Sequence, residues 1–145
     1  MKEAAQFFAE GIDDILYAVA MAPNKLEQAL KLRRDGCELK IITDSVESAE
    51  AIQRFGQEQG ERFEVWIEID VDGHRSGVAP EDDVLLHIGR VLHDGGMHLG
   101  GVLAHAESSY EYGTQEALER TAESSAPVAC ARRKGCARRA CRAIS

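Results

Sequence analysis

The 145-residue chain predicts an α/β fold of parallel strands joined by helical crossovers. Three observations carry that expectation. Hydrophobic periods of helical and of strand type alternate strictly through residue 125. The segments between them are only a few residues long. Strands that alternate with helices need a crossover to pair, and crossovers favour parallel neighbours.

The first helix, residues 2–10, puts Ala4, Ala5 and Phe8 on one face and stops at Gly11, a residue suited to the left-handed turn of a helix end. An apolar run at 12–20 has strand length. Pro23 opens a second helix whose Leu26, Ala29 and Leu30 share a face, and Gly36 ends it. Residues 39–42 make a second strand. Asp44 and Ser45 offer N-cap oxygens, with Glu47 at capping-box distance from Asp44. The helix beyond shows Val46, Ala49, Ile52 and Phe55 and stops by Gly60. A third strand, 63–70, runs into a glycine-containing loop. Pro80, Glu81, Asp82 and Asp83 start a fourth helix with acids at its positive end, and Val84, Leu85, Ile88, Val91 and Leu92 form its apolar stripe. Gly95 and Gly96 close it, 99–104 is a fourth strand, and 114–124 is a last helix.

Two architectures satisfy this order: a doubly wound open sheet, or part of a (β/α)8 barrel. A whole barrel needs ~250 residues and eight strands, so about four βα units make a partial one. No Gly-x-Gly-x-x-Gly follows the first strand and no Gly-x-x-x-x-Gly-Lys-Ser/Thr occurs, which weakens the nucleotide-binding open sheet. Apolar residues at 44% and charged residues at 29% exclude an intrinsically disordered body. No run approaches the ~20 apolar residues of a membrane span, and the first four residues open no secretory h-region. A cytoplasmic chain without membrane contact is expected.

Net charge is −8, and all 25 acidic residues precede Ala126. Residues 126–145 instead carry Arg132, Arg133, Lys134, Arg138, Arg139 and Arg142, together with Cys130, Cys136 and Cys141. This shift divides the chain into a body, 1–125, and a basic Ala/Arg/Cys-rich tail, 126–145. The acidic body repels nucleic acid, and the tail has no aromatic to stack on RNA bases. Its cysteine spacing misses the usual zinc pattern and a fourth ligand is lacking. The tail is expected to be a disordered, out-of-frame extension, and disulfides are not expected in a reducing compartment.

Function in either architecture sits at the carboxyl ends of the strands, here residues 20–25, 43–45, 70–77 and 105–110. Arg75, His105 and Tyr110 stand out because these ends converge on one mouth; Gly73 and Gly77 let the backbone turn tightly around Arg75. Asp70, Asp72 and His74 fall at alternate positions but lack the remaining ligands of a calcium loop, so no metal site is assigned. His87, His93 and His98 are surface residues by position, and Tyr17 and Tyr112 are packing or rim aromatics.

Residues 11–18 (Gly-Ile-Asp-Asp-Ile-Leu-Tyr-Ala), 68–78 (Glu-Ile-Asp-Val-Asp-Gly-His-Arg-Ser-Gly-Val) and 101–110 (Gly-Val-Leu-Ala-His-Ala-Glu-Ser-Ser-Tyr) resemble the D-threonine aldolase and D-serine dehydratase-like branch of the alanine racemase superfamily. The likeness runs from about Glu3 to about Ala122. It implies the N-terminal (β/α)8 barrel of a pyridoxal phosphate (PLP) enzyme and so selects the partial barrel. By resemblance Arg75 lies near the cofactor's phenolic oxygen, Tyr110 faces the pyridine nitrogen and His105 lines the ring. The implied activity is a lyase reaction on D-3-hydroxyamino acids, retro-aldol cleavage or loss of a β-hydroxyl, with PLP as electron sink. The related alternative is amino-acid racemization.

The chain departs from that pattern in three places. The family's Schiff-base lysine, in a Pro-x-x-Lys-Thr/Ser string on the first barrel strand, has no counterpart. The body's lysines are Lys2, Lys25, Lys31 and Lys40, and the chain is expected to begin after that strand. Glu107 replaces a usual glycine, and the divalent-metal ligands of the family's C-terminal domain are absent. No catalytic residue is therefore assigned, and the chain is expected to be a truncated, inactive piece of a lyase. A non-catalytic half-barrel that self-associates through exposed strand edges is the other expectation.

Overall fold

The computed structural model describes residues 1–71, 73 and 76–105. The expected helix at 114–124, the tail at 126–145, and Asp72, His74, Arg75, Glu107, Tyr110 and Tyr112 lie outside the described residues. The elements run α1 (Lys2–Ala9), β1 (Asp14–Ala20), a 3-10 turn (Pro23–Lys25), α2 (Leu26–Arg34), β2 (Glu38–Thr43), α3 (Val46–Gln59), β3 (Glu64–Ile69), α4 (Val84–Asp94) and β4 (His98–Ala104).

All four strands are parallel and lie in the spatial order β1-β2-β3-β4. That order decides between the two architectures. A doubly wound sheet reverses its direction of strand addition and so covers both faces. Right-handed crossovers taken always in one direction put α2, α3 and α4 on the same face. This is the winding of a barrel wall.

Strand alternation then divides the residues. Leu39, Ile41, Val65, Ile67 and Ile69 pack in one core with Leu26, Ala29 and Leu30 of α2, Ala49 and Ile52 of α3, and Leu85, Ile88 and Leu92 of α4. Each such Leu, Ile or Val side chain taken from water contributes roughly 1.5–3 kcal/mol, so this layer holds the fold. The other face of the sheet carries Lys40, Ile42, Trp66 and Glu68, the residues of opposite parity.

Several local expectations are corrected. β1 starts at Asp14, not at residue 12: the Ile12 amide still bonds the Phe7 carbonyl as the chain leaves α1, and Ile12 is exposed. Ala5 is also exposed, while Ala4 is buried. Pro23 opens a 3-10 turn, and the α-helix begins at Leu26. The cap of α3 is Ser45, whose hydroxyl accepts from the Ser48 amide at 3.2 Å, so the Asp44–Glu47 box does not form. The fourth helix starts at Val84 rather than Pro80; Asp82 accepts from the Val84 amide at 2.9 Å and ends the preceding turn. Gly60 closes α3 in the left-handed conformation, as its sequence position implies.

Candidate functional site

Parallel pairing puts all four strand ends on one edge. Ala20 pairs with Ile42, Thr43 with Ile67, and Ile69 with Ala104. His105, half-buried, follows β4 directly on this edge. The β3–α4 loop leaves from the neighbouring strand, so His105 follows β4 beside the described base of that loop, Ile69 and Val78. The positions of Arg75 and Tyr110 lie outside the described residues.

The loop is closed at its base by backbone bonds. Val78 donates to the Glu68 carbonyl at 2.9 Å, and Asp70 donates to the Val78 carbonyl at 3.0 Å, which makes an isolated parallel bridge between Ile69 and Val78. Within it the Asp70 carboxylate accepts from the Gly73 amide at 2.8 Å, and the Ser76 hydroxyl donates to Glu68 Oε2 at 3.1 Å. Gly73 and Gly77 take φ of +74° and +130°. The expected glycine turns on either side of Arg75 are therefore present.

Glu68 was not singled out from the sequence. It is 4% exposed, one of two buried polar or charged residues with Thr43 among those described. Its signal was an acid in a strand whose alternate positions are all apolar, on the face that a barrel turns inward. Thr43 satisfies its hydroxyl on the Ser45 carbonyl at 3.3 Å, and Ser48 Oγ donates to the Met21 carbonyl at 2.7 Å, which ties the start of α3 to the end of β1.

The opposite, amino edge carries a row of ionisable side chains: Asp14 on β1, Lys40 on β2, Glu64 on β3 and His98 on β4. Lys40 bonds Asp14, and that bond raises the ammonium above its ordinary value. His98 Nδ1 lies 3.6 Å from Glu64 Oε2, and Trp66 Nε1 donates to Glu64 Oε1 at 3.0 Å. A cavity of about 360 Å³ here is lined by Arg33, Cys37, Lys40 and Glu64. Its cations are engaged, Lys40 by Asp14 and Arg33 by Glu61 at 2.8 Å. Of the other described lysines, Lys25 follows the carboxyl end of β1, where its Nζ donates to the Tyr17 hydroxyl at 3.0 Å, and Lys2 and Lys31 are exposed on α1 and α2. His87 and His98 are exposed and His93 is half-buried, in keeping with surface positions.

A singly wound parallel sheet with its crossover helices on one face defines a partial (β/α)-barrel domain. Residues 1–142 match the family model described as alanine racemase, N-terminal domain, and the chain belongs to that family. It is 68% identical over 124 residues to D-threo-3-hydroxyaspartate dehydratase of Delftia sp. (strain HT23), covering 85% of this chain and 33% of that protein. With D-serine dehydratase of Dictyostelium discoideum it shares 25% over 131 residues, again 85% of this chain and 33% of the relative. The solved Delftia dehydratase superposes with a TM-score of 0.89 at 63% identity, over 96% of this chain and 37% of that one. An alanine racemase-like protein from Idiomarina loihiensis gives 0.85 at 37% identity, over 92% and 35%. The chain thus spans about a third of the length of the curated relatives it matches.

Proposed function

We propose that this chain forms the cofactor-side wall of a PLP-dependent lyase that removes water from D-3-hydroxyamino acids. The observation that carries the proposal is the joint arrival of His105 and the Asp70–Val78 loop at one carboxyl edge, in a chain 68% identical to a D-threo-3-hydroxyaspartate dehydratase. The names of the relatives favour dehydration over the retro-aldol alternative.

The edge suits such a group in its chemistry. PLP is a flat apolar ring with polar atoms on its rim. The strand ends offer the small Ala20 paired with Ile42 as apolar surface, and the imidazole of His105 and the Asp70 carboxylate as polar groups. His105 would lie along the ring, Arg75 would hold the phenolic oxygen and Tyr110 would face the pyridine nitrogen. When bound, PLP supplies the electron sink for loss of the β-hydroxyl. The Pro-x-x-Lys-Thr/Ser string of the family's anchoring lysine does not occur in the sequence, and among the described residues no group of three His, Cys, Asp or Glu side chains is placed to hold a metal ion. The body 1–125 is the unit that carries this role, and a cytoplasmic setting belongs to the same proposal; no described helix is long and apolar enough to cross a membrane.

Trp66 is the single tryptophan and sits on the sheet face opposite the helices, so PLP bound at the adjacent edge quenches its emission. The 145-residue chain is expected to bind PLP in a titration of that emission, with His105→Ala weakening it about tenfold and His87→Ala leaving it unchanged. Borohydride is expected to leave no stoichiometric pyridoxyl-lysine. Absence of binding overturns the cofactor assignment. In the whole protein, release of ammonia and an oxo acid marks dehydration, glycine marks aldol cleavage, and the opposite enantiomer marks racemization.

A second proposal concerns assembly. β1 and β4 are the edge strands of the described sheet, and Val19 on β1 is 54% exposed. Sheet edges recruit further strands, so the chain self-associates through them. A monomer across the concentration range in sedimentation overturns this.

A further inference from the structure

Glu68 has no role in the assignments above, yet it is costly to keep. Removing a carboxylate from water costs several kcal/mol unless nearby groups compensate it. The helix-facing side of β3 is already completed by Val65, Ile67 and Ile69, so the core does not need position 68. Its place in the fold is specific. It lies at the carboxyl end of β3, opposite Leu103 of β4, two residues before Asp70 as Leu103 is two before His105. Two separate bonds tie it to the same loop. Its carbonyl receives the Val78 amide at 2.9 Å, and its Oε2 receives the Ser76 hydroxyl at 3.1 Å. Ser76 follows Arg75 directly in the chain.

We propose that Glu68 is a positioning residue of the cofactor site: its buried carboxylate holds the hydroxyl of Ser76 and so fixes the returning limb of the β3–α4 loop, Ser76–Val78, at the carboxyl edge. This inference deepens the PLP assignment and rests on it. Loop bonds to Gly73 and Val78 set the turn's shape, whereas the Glu68–Ser76 bond fixes where the descending limb lies against the sheet. The carboxylate acts through the loop.

The test uses the full chain and three variants: Glu68→Ala, Glu68→Gln and Ser76→Ala. Two measurements are made on each. The first is PLP affinity from Trp66 quenching. The second is hydrogen exchange in the Asp70–Val78 loop and, as a fold control, in β3. Glu68→Ala and Ser76→Ala are expected to weaken PLP binding about tenfold and speed exchange in the loop about tenfold, with the β3 amides at Val65 and Ile67 unchanged. Glu68→Gln keeps an acceptor oxygen for Ser76 and is expected to stay within about threefold of the parent in both. If the parent binds PLP and Ser76→Ala binds it equally well, the positioning role is overturned while the cofactor assignment stands. A parent that binds no PLP overturns the cofactor assignment and this inference together. Loss in Glu68→Gln as large as in Glu68→Ala overturns the hydrogen-bond role.

Discussion

Gly77 lies so close to Asp70 that a Cβ on it would stand 2.6 Å from the Asp70 backbone nitrogen and 2.8 Å from the Ile69 carbonyl carbon. The contact is with strand backbone, which cannot yield as a flexible side chain can. Gly77 therefore sets how tightly the loop returns to β3.

Gly77→Ala combines a positive φ with this overlap, whereas Gly73→Ala meets only the positive φ, with nothing within 4 Å of its Cβ. Left-handed strain alone costs a non-glycine residue roughly 1–2 kcal/mol. Urea unfolding is expected to show Gly73→Ala destabilised by about that amount, and Gly77→Ala by more, with loss of the Ile69–Val78 bridge. Equal effects would show that the close approach is relaxed at no cost.

Gly56 in α3 poses an opposed balance. Alanine there gains about 1 kcal/mol in helix propensity. Its Cβ would meet Met97 Cε at 2.7 Å and the Glu61 carbonyl at 2.8 Å, and overpacking of this kind costs roughly 1–3 kcal/mol. Met97 can swing aside but the carbonyl cannot, so Gly56→Ala is expected to lower the unfolding free energy. A gain in stability would mean that α3 shifts freely.

The Lys40–Asp14 pair fixes a pH dependence. The bond to Asp14 raises Lys40 above its ordinary 10.5, so the folded state holds this proton more tightly than the unfolded state. Stability from the pair is complete below the unfolded value and is lost as pH rises through the folded one. Asp14→Asn is expected to flatten the alkaline fall in stability relative to the parent, in denaturation series on either side of that value. Because Lys40 is solvent-accessible, added salt is expected to shrink the difference.

Cys37 is 3% exposed, its Sγ is 3.3 Å from the Asp13 carbonyl, and burial pushes its thiol up. Both effects suppress the thiolate that reacts. Peptide mapping after iodoacetamide at neutral pH is expected to find Cys37 unmodified in the folded chain and labelled at least about tenfold faster in denaturant.

Alternation of apolar residues was enough to find every described strand and helix, because one buried face repeats every second or every third to fourth residue. Ends were less legible. Pro80–Asp83 has the composition of a helix start, yet the Asp82 carboxylate caps from outside and delays the helix to Val84. Asp44 and Ser45 compete for one cap, and only backbone direction makes it Ser45. The direction of winding was not legible from periodicity at all, since both architectures bury the same residues. His105 and the glycines around Arg75 were visible as strand-end chemistry. Glu68 was hidden because its meaning depends on which face the barrel turns inward.

The spatial order of the strands repeats their order in the chain, so among the described residues each strand hydrogen-bonds only to those adjacent in sequence. Contacts of such short range close small loops and lower the entropic barrier to assembly. A growing polypeptide can therefore add one βα unit at a time to a template already in place, without waiting for a distant segment to emerge.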